Sequence, residues 1–362
     1  MTTAAAITCR ISIPAGCHGT RSSASQRPRC ARLTSVNVAS AFEYGRTFLG
    51  ARFLGQRVPL VVSIVVTNRC NYSCAYCDRW DGRGYDMTTT DIISMLDEMA
   101  AMGTRRLILT GGEPLVRRDI FDIINRAKTH GLRVNLNSNG TLVPRFIDRL
   151  QGLNGLTISL DGDRDVHDQI RGEGAFDAVL DAVRAAREFP HIRVRLAATV
   201  SRASIGSEDA LLDIARREGV DVFFQPAEQE VLGGDHQDNE LSSPIGRYRE
   251  TIDHLLAEKE RGAPIANSAS ALRYLRTWPN GAALPCAGSK LFVRVDYNGR
   301  VMICGRMGDY EESHNALDLG FREAFMRLNE ARCPTCWCAS RVEVNQAFAL
   351  KPDAIAGLAR AT

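Results

Sequence analysis

Between Pro59 and Pro226, short apolar runs alternate with amphipathic stretches along the chain. The runs at 60–67 (LVVSIVVT), 105–110 (RRLILT), 132–137 (LRVNLN), 155–160 (GLTISL), 192–200 (IRVRLAATV) and 220–225 (VDVFFQ) are candidate strands. Apolar, β-branched runs of this length suit parallel strands buried on both faces. Helices fit between them. Residues 88–90 can cap a helix whose Ile92, Ile93, Leu96 and Met99 share a face, and Ser207 can cap another that stops at Gly219. Stretches 119–130, ending against Gly131, and 175–189 complete the set. Six βα units in series predict an α/β protein built on an open, partial (β/α)6 barrel, with its chemistry at the C-terminal ends of the strands.

The flanks read differently. Residues 241–283 suggest one long charged helix and an irregular connector, whereas 290–304 alternate apolar and polar around Asn298-Gly299, a two-residue hairpin signal. A short helix near 319–328 and a terminal helix over 341–360 follow. The expected divisions are an unstructured extension over 1–57, the barrel over 58–240, a helical connector over 241–283, a small hairpin-and-helix domain over 284–340, and a C-terminal helix over 341–362.

The formal net charge of +3 comes from the first 42 residues, which hold Arg10, Arg21, Arg27, Arg29 and Arg32 and no acidic residue. Without those five, 40 basic residues face 42 acidic ones, so the folded part has no global charge that would recruit nucleic acid or an anionic membrane. The stretch resembles a transit peptide in composition. It better fits a dispensable upstream extension in a GC-rich bacterial genome, because only Lys128, Lys259, Lys290 and Lys351 stand against 41 arginines. No apolar run approaches the roughly 18 to 20 residues of a membrane span, so a cytoplasmic protein is expected.

Eleven cysteines are unevenly spread: Cys9, Cys17 and Cys30 near the start, Cys70, Cys74 and Cys77 within eight residues, and five between 286 and 338. Such clustering favours metal or iron–sulfur ligation over disulfides in a reducing compartment. Three thiolates spaced CxxxCxxC, directly after the first strand, can ligate three irons of a cubane and leave the fourth open. Zinc would want a fourth ligand nearby, and none lies close in sequence. A second motif, Gly111-Gly112-Glu113-Pro114, ends the second strand; its glycines permit close backbone approach to a ligand, and Glu113 can accept from an ammonium group.

The two motifs, in this order on successive strands, resemble the radical S-adenosylmethionine (SAM) superfamily over about residues 58–340. That resemblance implies a 4Fe-4S cluster on Cys70, Cys74 and Cys77 whose open iron chelates SAM. It places Gly111, Gly112 and Glu113 at the SAM amino group, Tyr76 beside adenine, Asn137 and Ser159 at the ribose or methionine part, and Arg171 on the carboxylate. Read from the sequence alone, the segments carrying Asn137 and Ser159 are equally turn dipeptides, and Arg171 a solvated loop charge. By position, Asp78, Trp80, Thr199, Ser201, Gln225 and Glu228 should face the cavity.

Cys286, Cys304, Cys333 and Cys336, with the hairpin between the first pair, resemble the twitch domain, the shorter relative of the SPASM domain, which implies a second, auxiliary 4Fe-4S cluster. Four thiolates would also satisfy structural zinc, and Cys338 is a competing or spare thiol. The expected function is a radical SAM enzyme that reductively cleaves SAM to a 5'-deoxyadenosyl radical and takes hydrogen from a small-molecule substrate. Two-electron oxidation through the auxiliary cluster and an external one-electron donor, flavodoxin or ferredoxin, belong to that reading. The alternatives are a peptide, lipid or nucleoside modifier and, from a different class, a non-catalytic metal-binding scaffold.

Overall fold

A computed structural model describes residues 38–77, 84–227, 243–304, 313–330 and 335–361. Six parallel strands, β1 (Val61–Val65), β2 (Arg106–Thr110), β3 (Arg133–Ser138), β4 (Gly155–Ser159), β5 (Arg193–Val200) and β6 (Asp221–Pro226), pair in sequence order. They form the open partial barrel expected. Between and before them run α1 (Val38–Phe53), α2 (Thr89–Ala101), α3 (Ile120–Thr129), α4 (Val143–Phe146), α5 (Arg164–Arg171), α6 (Ala175–Arg187) and α7 (Glu208–Glu218).

Local chemistry fixes these helices. Thr88 and Asp91 form a reciprocal capping box at the start of α2, which buries Ile92, Met95, Leu96 and Met99 against the sheet. Gly219 ends α7 in the left-handed conformation (φ +63°). Ser207, the expected cap of α7, makes no side-chain cap bond; Glu208 instead turns back to accept from the Gly206 N–H.

Burial on both faces holds only for most of β1, whose Val62 through Val65 are covered on each side. Along β2 to β6 buried and half-buried positions alternate. Leu107, Leu109, Val134, Leu136, Ile158, Leu196 and Phe224 pack against the helices, and the other face, turned to the barrel interior, carries polar side chains. A curved sheet wrapped around a lumen needs an apolar outer face only.

The C-terminal part joins the same sheet. β7 (Phe292–Val295) pairs in parallel with β1, then antiparallel with β8 (Arg300–Met302), which pairs with β9 (His314–Asn315), giving one nine-stranded sheet. The expected two-residue turn is a three-residue loop, 297–299: Asp296 N–H donates to the Arg300 carbonyl, and Gly299 takes φ +86°. The connector holds two helices, α8 (Ile245–Glu260) and α9 (Ala269–Leu275), and α10 (Ala316–Leu319) and α11 (Phe321–Met326) follow the hairpin. The single terminal helix expected is two, α12 (Ala339–Phe348) and α13 (Pro352–Ala361), because Leu350 (φ +61°) and Pro352 break it.

The extension expected to be unstructured over 1–57 contains α1. Phe48 meets Phe348 edge-on at 5.5 Å, and Ala51 packs with Leu60, Ala287, Leu291 and Phe348. Tertiary burial holds a helix that its own periodicity does not announce. Among the described residues no helix is long and apolar enough to cross a membrane.

Candidate active site

The cysteine loop leaves β1 under tight control. Asp86 accepts from the Thr67 hydroxyl (2.6 Å) and the Asn68 N–H (2.9 Å), and buried Arg117 donates to the carbonyls of Val66 and Met87. The loop after β2 lies directly on it: Gly112 N–H donates to the Thr67 carbonyl and Glu113 N–H to the Arg69 carbonyl, both at 2.9 Å. A Cβ on Gly111 would stand 2.5 Å from the Thr67 oxygen, and one on Gly112 2.2 Å from the Arg69 oxygen. The close approach that these glycines permit is to the cysteine loop's own backbone.

Glu113 is fully buried and accepts from Leu115 N–H (3.1 Å), Asn139 N–H (2.7 Å) and the Ser138 hydroxyl (3.0 Å). Burial pushes its carboxyl up to about 7 against those bonds. Its side chain also ties the loop after β3 to the loop after β2. The effect is to place Asn139, which the sequence reading passed over as part of a turn: its Nδ2 donates to Asn71 Oδ1 (2.8 Å) and lies 3.9 Å from Cys70 Sγ.

Half-buried Cys70 and buried Cys74 each have a donor aimed at the sulfur. Tyr72 N–H approaches Cys70 Sγ at 3.4 Å, and Arg171 Nη1 approaches Cys74 Sγ at 3.9 Å. Burial pushes both thiols up, while these donors favour thiolate. The Cys70 and Cys74 thiols, with N–H donors turned to them and the buried Arg171 cation beside Cys74, suit an anionic iron–sulfur cluster.

Arg171, expected to meet a ligand carboxylate, already has one. Its Nε donates to Asp161 Oδ2 at 2.7 Å, with side-chain exposures of 9% and 0%. Tyr76 donates its hydroxyl to the same oxygen (2.8 Å) and touches Arg171, while Asp161 Oδ1 accepts from Thr199 N–H (3.0 Å). Burial alone would raise the Asp161 carboxyl, but Arg171 beside it holds it below the ordinary range. Asp161 N–H donates to His167 Nδ1, so His167 is neutral, and burial with Arg171 nearby lowers it to about 4. Asp161 and His167 are thus the centre of a buried network.

Asn137 and Ser159 lie on the interior face at the strand ends and have no side-chain hydrogen-bond partner among the described residues. Gln225 is taken up structurally, accepting from Ala339 N–H (2.9 Å), and Ser201 bonds Ser204. Asp78, Trp80 and Glu228 lie outside the described residues.

Of the second cysteine set, Cys286, Cys304 and Cys336 are described and Cys333 lies outside. Gly288 N–H donates to Cys286 Sγ (3.3 Å), and buried Asn345 on α12 links the set, Nδ2 to Cys336 Sγ (3.7 Å) and Oδ1 to Ala287 N–H (2.9 Å). The Arg341 guanidinium faces Cys338, Cys304 and Cys336, and its Nε is buried without a hydrogen bond. A buried cation facing sulfur fits thiolates that stay ionised. Cys338 precedes α12 and contacts Ser340 at 3.2 Å.

The family model of the Radical SAM superfamily matches residues 64–196, from β1 into β5. The chain is 30% identical over 266 residues to the GTP 3',8-cyclase of Marinobacter nauticus, covering 67% of this chain and 78% of that protein. It is 33% identical over 179 residues to the AdoMet-dependent heme synthase of Methanosarcina barkeri, covering 46% of this chain and half of that one. Streptococcus suis SuiB bound to S-adenosylmethionine shares the fold, with a TM-score of 0.62 at 16% identity over 82% of this chain and 72% of that chain.

Proposed function

Because this chain belongs to the radical SAM superfamily, whose members use a 4Fe-4S cluster and SAM, we propose that Cys70, Cys74 and Cys77 hold that cluster and that the protein oxidises a small molecule. The observation carrying this reading is the seating of the cysteine loop on Gly111 and Gly112, with donors from Tyr72, Asn139 and Arg171 turned to its sulfurs. When bound, the cluster supplies an electron to SAM, which splits into methionine and a 5'-deoxyadenosyl radical that takes a hydrogen atom from the substrate.

The chain's own residues do the positioning. Asn139 and the Tyr72 N–H steady the Cys70 thiolate, and Arg171, held by Asp161, presents positive charge to Cys74. Asn137 and Ser159, at the strand ends and without side-chain hydrogen-bond partners among the described residues, would bond the polar groups of SAM. Glu113 serves them by fixing the β3 loop, and the Tyr76 ring, tethered at its hydroxyl, offers a fixed face for adenine. Cys286, Cys304, Cys333 and Cys336 would hold a second, fully ligated cluster. With no open iron, it suits the role of electron acceptor from a substrate radical, and a flavodoxin- or ferredoxin-type donor would reduce the first cluster.

Anaerobically reconstituted protein with dithionite tests this: SAM should yield 5'-deoxyadenosine, and replacing Cys70, Cys74 and Cys77 with Ala should abolish it. Undiminished cleavage by that variant would sink the reading. Wild type should carry about eight irons, two cubanes, and the Cys286, Cys304, Cys333 and Cys336 variant about four; near one zinc with four irons would remove the second cluster.

A further inference from the structure

The second cysteine set is surrounded by more polar groundwork than holding a metal requires. Helix α12 starts directly after Cys338 and three residues after Cys336, and it is fixed to the rest of the fold at several points. Gln225, on β6, accepts from Ala339 N–H at 2.9 Å, and buried Glu343 accepts from Ser268 N–H at 2.7 Å, at the cap of α9. The Tyr274 hydroxyl accepts from Cys336 N–H at 3.1 Å, and the Tyr274 ring stacks on buried Trp337 with centroids 5.6 Å apart. The turn bearing Cys336 and Cys338 is therefore held in place by the barrel and by α9.

On this anchored helix Arg341 and Asn345 stand four residues apart, on one face. Asn345 is buried and spans the cysteine set: Oδ1 accepts from Ala287 N–H at 2.9 Å, beside Cys286, and Nδ2 lies 3.7 Å from Cys336 Sγ. The Arg341 guanidinium lies over the Phe292 ring and faces Cys304, Cys336 and Cys338, and it acts on Cys286 as well. A backbone donor joins them, Gly288 N–H at 3.3 Å from Cys286 Sγ. A helix packed here for stability alone would lay an apolar side chain over Phe292, because partial burial of a guanidinium carries a desolvation cost. Net charge and N–H donors around the sulfurs set the potential of an iron–sulfur site. A facing cation and an amide donor stabilise the more negative, reduced state, and a partly buried setting strengthens both.

We propose that Arg341 and Asn345 are positioning residues that raise the potential of the second cysteine site, so that it accepts an electron rather than donates one. The inference rests on the reading that Cys286, Cys304, Cys333 and Cys336 hold a cluster. The electron is the one a substrate radical gives up as it closes to a double bond and yields a proton to water. The site is reduced by that one electron and passes it to an oxidised carrier of the flavodoxin or ferredoxin type.

The test is an EPR-monitored redox titration of the full chain, loaded anaerobically with iron and sulfide, in the Cys70→Ala/Cys74→Ala/Cys77→Ala background that isolates the second site. Arg341→Met should shift the midpoint negative, and Arg341→Lys, which keeps the charge, should stay close to the background value. Asn345→Asp keeps an acceptor for Ala287 N–H but turns an oxygen toward Cys336, so it should also shift the midpoint negative. Lost packing alone would move Arg341→Lys and Arg341→Met alike. A midpoint indifferent to Arg341→Met, or displaced equally by Arg341→Lys, overturns the proposal. Where Arg341→Met holds too little iron to titrate, an unshifted midpoint in Asn345→Asp overturns it instead. Background protein that holds zinc in place of iron refutes the second-cluster reading and the inference with it, whereas about four irons whose midpoint ignores the Arg341 charge refute the inference alone.

Discussion

Asp161→Asn should be the most damaging single change that leaves every cysteine in place. The carboxylate has no exposure and serves Arg171, Tyr76 and Thr199 together, so the substitution leaves the Arg171 charge buried without its directly bonded counter-charge. Breaking a buried pair from one side costs about 3 to 5 kcal/mol. At roughly 2 to 4 °C per kcal/mol, the thermal midpoint should fall by roughly 6 to 20 °C. Arg171→Met alone should cost a similar amount, since it strands Asp161. The double variant should cost clearly less than the sum, because neither charge then remains. Midpoints of iron-loaded protein at one scan rate, compared as a double-mutant cycle, measure this coupling. Strict additivity would refute the argument that the two residues are each other's counter-charge.

Other consequences follow from single contacts. Gly112→Ala should lose more than half the iron of the first site, since its methyl carbon would stand 2.2 Å from the Arg69 oxygen; iron and sulfide assays read it. Asn139→Leu removes a donor from Cys70 and should shift the first cluster's midpoint potential negative in an EPR-monitored titration. His167, lowered to about 4, binds its proton more readily unfolded, so its contribution is complete above about pH 6.5 and lost as pH falls toward 4. The loss is on the order of 3 kcal/mol. Urea midpoints should fall across that window in wild type and less in His167→Gln, whose amide oxygen can still accept from Asp161 N–H.

The barrel was legible because its strands are written in apolar, β-branched runs: β4 was expected at 155–160 and spans Gly155–Ser159, and β5 at 192–200 spans Arg193–Val200. What escaped depends on contacts distant in sequence. α1 contains Gly45 and Gly50 and is held partly by an Arg52 bond to the Phe348 carbonyl, 296 residues away. Arg106 and Arg133 read as charged strand boundaries, and only the curvature of the sheet sets them on its inner face. Asn139 and Asn345 are ordinary polar residues until folding lays them on a cysteine sulfur. Arg171 reads in the sequence as a partner for a carboxylate, but Asp161, ten residues earlier, which it bonds, is visible only in three dimensions.

The central claim is that the loop of Cys70, Cys74 and Cys77 carries a cubane with one iron free for SAM. Electron–nuclear double resonance on the reduced Cys286→Ser/Cys304→Ser/Cys336→Ser variant, which isolates that cluster, tests it most directly with SAM labelled by 15N at the amino group and 17O at the carboxylate. The account predicts hyperfine coupling from both labels. A reduced-cluster signal that shows neither coupling and does not change when SAM is added would contradict it.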